Sequence, residues 1–109
     1  MMVTLQDRAR AFEAQLAHDH ELKFRLLVQR SRILGRWAAR LMGKPDEEAR
    51  TYVQDVVRIA LERTASEQSV IDKIASDLGD LADLSEVRAE YARAEDQAKR
   101  LVFEQQGQS

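Results

Sequence analysis

The stretch SRILGRWAARLMGKP, residues 31–45, decides the fold. Leu34, Ala38 and Leu41 recur at helical spacing, while Arg32, Arg36 and Arg40 fall on the opposite side. Ile33 and Trp37 lie on a flank, and a helix with apolar groups on both face and flank touches two neighbours, as in a bundle. Gly43-Lys44-Pro45 then ends the helix, because glycine suits a helix C-terminus and proline cannot continue one.

Toward the N-terminus the same face continues. Phe24 and Leu27 share its orientation, and Leu5, Ala9, Phe12 and Leu16 fall at spacings of four, three and four. Arg25 joins the arginines on the far side. One helix over residues 4–42 would be roughly 58 Å long at about 1.5 Å per residue. That exceeds what a compact domain of this size can cover, so part of residues 1–18 should project from the body or order on docking. Two readings of Leu5, Phe12 and Leu16 stay open: they fold back onto the bundle, or they form a helix-in-groove ligand.

Toward the C-terminus three further helices are expected. The second should run from Pro45 or Asp46 to Arg63, with Asp46, Glu47 and Glu48 at its positive end and Ala49, Val53, Val56 and Ala60, with Tyr52, Val57 and Leu61, as its buried side. Ser69 followed by Asp72 resembles a cap for a third, short helix carrying Val70, Ile71, Ile74, Ala75 and Leu78 and ending near Gly79. The last should begin near Ser85, with Leu84, Val87, Tyr91, Ala94, Ala98 and Leu101 as its stripe. No strand pattern is present. The expected fold is all-α: an antiparallel four-helix bundle over residues 19–109, with a projecting or flexible segment at residues 1–18.

The totals narrow the function. At 109 residues the chain suits one domain. The absence of cysteine excludes disulfides, thiolate metal sites and thiol nucleophiles. The N-terminus lacks an apolar signal core, and no apolar run approaches membrane-helix length, so a cytoplasmic location without membrane insertion is expected. Charge is uneven: residues 23–44 carry seven basic residues and no acidic one, against ten basic and nineteen acidic elsewhere. Either this is a basic helix among acidic ones or it is a basic docking surface.

Little here supports catalysis. His18 and His20 point to nearly opposite sides of a helix and cannot share an ion, so no metal or cofactor is expected. The glycines are isolated, without a phosphate loop, and the serines lack a histidine partner. No helix-turn-helix spacing or interleaved aromatic pattern supports nucleic-acid reading. A protein that acts by binding another protein, as a monomer when free, fits best.

Two runs give that reading a family. LQDRARAFEAQLAHDHELKF (residues 5–24) and SRILGRWAARLMG (residues 31–43) resemble the zeta subunit family, the small inhibitors of alphaproteobacterial F-type ATP synthases. The matching points are Asp7-Arg8, Ala11-Phe12-Glu13, Asp19, Phe24, Leu34-Gly35, Trp37-Ala38-Ala39 and Gly43, extended by Ala49, Tyr52, Val56-Val57, Val70, Lys73 and Asp77. The resemblance reaches about residue 80. Leu5 departs from it, standing where an aromatic is common, and so does Leu61-Glu62, where an acidic-aromatic pair is usual.

The resemblance implies a four-helix bundle whose N-terminal segment enters the catalytic interface between an alpha and a beta subunit, reaches toward the gamma shaft and blocks ATP hydrolysis. By that implication Leu5, Ala9, Phe12 and Leu16 form an apolar wedge, and Asp7, Arg8, Arg10 and Glu13 supply polar contacts at its rim. The protein would then sit at the inner membrane only peripherally, through the enzyme. The alternative is a helical adaptor of another complex.

Overall fold

The computed structural model describes the backbone of residues 5–107 and the side chains of residues 19–104. Among the described residues there are four α-helices and no strand: α1 (Leu5–Leu41), α2 (Asp46–Ala60), α3 (Glu67–Leu78) and α4 (Leu84–Gly107), with a single 3-10 turn, Gly79–Leu81, between the last two.

Local chemistry sets each boundary. The Lys44 N–H donates to the Ala39 carbonyl and that of Gly43 to Arg40, both at 3.0 Å. Together they close α1 in a Schellman turn, which needs the left-handed backbone that Gly43 supplies at φ 68°. Asp46, Glu47 and Glu48 occupy the first turn of α2, where exposed N–H groups favour negative charge. That helix ends at Ala60, one turn short of the expected Arg63.

The cap of α3 differs from expectation. Ser66, not Ser69, is the N-cap: its Oγ accepts from the Ser69 N–H at 3.1 Å, and Ser69 Oγ accepts from the Ser66 N–H at 2.8 Å. Asp72 instead accepts from the Gln68 side chain. The helix therefore starts one turn earlier, at Glu67. Asp83 caps α4, its Oδ1 accepting from the Glu86 N–H at 2.8 Å.

Packing centres on α1, which meets α2, α3 and α4. Its seam with α2 is tight because position 35 is glycine: a Cβ there would lie 3.2 Å from the Val53 Cα. The core runs through Leu34, Ala38, Val56, Ile74, Val87 and Ala94, all without solvent exposure. Small residues on α1 and α4, Ala38, Ala39, Ala94 and Ala98, let the backbones approach.

The ends of two expected stripes fall outside this core. On α1, Phe24 is 55% exposed and Leu41 is 41% exposed. By the Gly35–Val53 register Phe24 lies past the end of α2, and Leu41 sits at the turn. On α4, Leu84 is exposed and Leu101 half-buried, while Val102, one position on, is buried.

Two aromatic pins fix the helix order. The Tyr52 hydroxyl donates to Asp77 at 2.8 Å, joining α2 to α3, and Lys73 donates to the same carboxylate oxygen at 2.7 Å. Arg30 of α1 stacks over the Tyr91 ring of α4, 4.7 Å from its centroid, and reaches Glu95 at 3.4 Å. Burial raises the Tyr52 pKa above the usual tyrosine value, and the bond to Asp77 raises it further. Burial also raises Tyr91, against the lowering pull of Arg30.

These shifts make stability depend on pH on the alkaline side. Above about pH 10 the unfolded chain loses tyrosine protons that the folded chain keeps, so stability present below that pH is lost as pH rises toward the folded values. Melting temperature should fall steadily above pH 10. Tyr52→Phe should lower stability by about 1 kcal/mol at pH 7 and flatten the alkaline fall. Circular-dichroism melts from pH 7 to 11 check both, and an unchanged alkaline slope would count against the Tyr52 assignment.

Candidate partner-binding surface

Two parts of the fold are candidates for meeting a partner: the leading turns of α1 and the seam between α1 and α2. The backbone of residues 5–18 continues α1 without a break, so the spacing of Leu5, Ala9, Phe12 and Leu16 is spacing along a helix. The side chains of these four, and of Asp7, Arg8 and Glu13, lie outside the described residues. Over 37 residues α1 spans about 55 Å, whereas α2 and α4, its main neighbours, have 15 and 24 residues. The first buried residue of α1 among those described is Ser31.

The seam is a surface that the sequence pattern did not reveal. Ala49, Val53, Val57 and Leu61 were expected on the buried side of α2. Only Tyr52, Val56 and Ala60 are buried there; Ala49, Val53 and Val57 are half-buried and Leu61 is 44% exposed. They line two adjoining stretches of an open groove, of about 440 and 430 Å³, which share Arg32, Val53 and Gln54. The available signal was the number of apolar residues on so short a helix, more than its bundle neighbours can cover.

Arginines edge the groove. Arg32 and Arg36 stand on the α1 side and Arg50 on the α2 side, all exposed. None of the three has a carboxylate within ion-pair distance among the described residues, where the pairs are made by Arg25, Arg30, Arg58, Lys73 and Arg93. The expected basic stripe is thus present and solvated.

Among the described residues no three histidine or acidic side chains gather as metal ligands. No helix among them is long and apolar enough to cross a membrane. What the surface offers is charge and apolar area for another macromolecule. The profile of the ATPase inhibitor subunit zeta family matches residues 2–101.

The chain belongs to that family.

The match runs through most of α4, farther than the motifs near residue 80 suggested. Comparison with curated proteins and with solved structures gives no match. Membership gives the role in outline: a regulatory inhibitor of ATP synthase, not an enzyme.

Proposed function

We propose that the chain binds the catalytic head of its organism's F-type ATP synthase and blocks ATP hydrolysis by inserting residues 1–18 into a catalytic interface. In this reading Leu5, Ala9, Phe12 and Leu16 enter between an alpha and a beta subunit and face the gamma shaft. Asp7, Arg8 and Glu13 contact the rim. The rest of the chain, residues 19–109, stays outside as a folded anchor, and the protein reaches the inner membrane only through the enzyme. It acts as a monomer on the cytoplasmic side.

The observation that carries this reading is that the family match begins at residue 2 and so includes the leading turns of α1. The geometry supports it, since α1 is much longer than either main neighbour. A helix that the body cannot fully cover has apolar positions available to a partner. Full burial of two leucines and a phenylalanine is worth about 2 kcal/mol each before the cost of ordering. The bundle adds effective concentration, so that insertion becomes an intramolecular step once the anchor has docked. The test is ATP hydrolysis by the organism's own catalytic head, with the full chain compared against a chain beginning at residue 17.

A further inference from the structure

We propose that the α1–α2 groove is a second docking site, and that its occupant is an acidic, amphipathic helix of a partner protein. The inference rests on the inhibitory reading for the partner's identity: the helix would belong to a subunit of the ATP synthase head. The groove itself is argued from its own chemistry.

Ala49, Val53 and Val57 of α2 and Leu61 at its C-cap follow one another at intervals of four, a line of about 18 Å. Such a strip matches three turns of a helix laid along it, with anchors at every third or fourth residue. The three half-buried residues and the exposed Leu61 retain apolar surface that the bundle leaves wet. Covering them returns free energy that folding did not recover.

The edges select the charge of the occupant. Arg32, Arg36 and Arg50 carry three positive charges without ion-pair partners among the described residues. Arg58, farther along, meets Asp55 only at 3.5 Å, with its side chain 66% exposed. Acidic residues line only the ends, Asp46 at one and Glu62 at the other. The net charge of the chain is −2, so this positive strip is local and not a reflection of bulk charge. Glutamates flanking an apolar stripe would meet the guanidinium groups while the stripe covers the valines.

The other candidates fit less well. A nucleic-acid backbone would use the arginines but has nothing to place on Val53, Val57 and Leu61. An anionic bilayer would attract the arginines but would also press on Asp46 and Glu62, which line the same groove. A second copy of this chain has acidic residues to offer but brings an equal positive strip with it.

The experiment uses the full chain with labelled valine and leucine methyls. A synthetic helical peptide is titrated in, with leucines at helical spacing flanked by glutamates, and the isolated catalytic head is tested separately. The peptide should shift Val53, Val57 and Leu61 saturably and leave Val87 unmoved, and a lysine-flanked version should do nothing. The double variant Arg32→Glu/Arg36→Glu should bind both peptide and head at least about tenfold more weakly, with an unchanged melting temperature.

The proposal is overturned by unmoved methyls, by equal peptide binding to the variant, or by the same shifts on concentrating the chain alone. Equal binding of native and variant chains to the head also overturns it, and leaves the inhibitory reading standing. A head that ignores the native chain defeats the inhibitory reading instead, and the peptide result then decides the groove.

Discussion

Removing residues 1–16 should abolish inhibition while leaving the bundle folded. The side chains at issue are Leu5, Ala9, Phe12 and Leu16 with the polar residues between them. If the three large ones, Leu5, Phe12 and Leu16, are captured in the enzyme, their loss forfeits several kcal/mol of burial. Each 1.4 kcal/mol is a factor of ten, so the concentration for half-inhibition should rise by at least about 100-fold. Stability should barely change, because every buried residue among those described lies between Ser31 and Val102. Hydrolysis assays and thermal melts on the same preparation separate the two effects. A truncated chain that inhibits as well as the full one would end the wedge account. A truncated chain that no longer melts cooperatively would place residues 1–16 in the core.

Leu34→Ala should act in the opposite way. Leu34 is fully buried in the same core cluster as Tyr52, Val56 and Ile74. Truncating a leucine in such a site leaves a cavity and costs about 3 kcal/mol. Against the roughly 5–15 kcal/mol that holds a small domain together, this is a large loss. The melting temperature should fall by about 10 °C or more. Phe24→Ala is the control on the same helix: at 55% exposure it should shift the melting temperature by no more than about 2 °C. Equal losses at the two positions would contradict the placement of the core. Below its melting range the Leu34→Ala protein should still inhibit, since the leading turns are untouched.

How far the sequence could be read depended on whether a rule was local. Gly43-Lys44-Pro45 predicted the end of α1, because a left-handed residue followed by proline excludes a helix whatever surrounds it. The acidic first turn of α2 was legible for the same reason. The start of α3 was misplaced by one turn because Ser66 and Ser69 both suit a cap, and here Ser69 plays the part usually taken by Glu or Gln in a capping box.

Tertiary context decided the rest. Val102, and not Leu101, closes the α4 stripe, since steps of three and four both keep a residue near the same face and the neighbouring helix selects between them. The α1–α2 groove was hidden because periodicity marks the apolar arc of a helix but not how much of it the neighbours cover. The family was legible from the motif pairing DRARAFE with LGRWAA, which no single helix rule supplies.

The most direct test of the central claim is photo-crosslinking from position 12. A photoreactive residue replaces Phe12 in the full chain, which is bound to its organism's ATP synthase head during ATP hydrolysis. The account predicts adducts on the alpha and beta subunits at a catalytic interface, appearing as hydrolysis stops. Adducts confined to the chain's own bundle, with hydrolysis still inhibited, would contradict it.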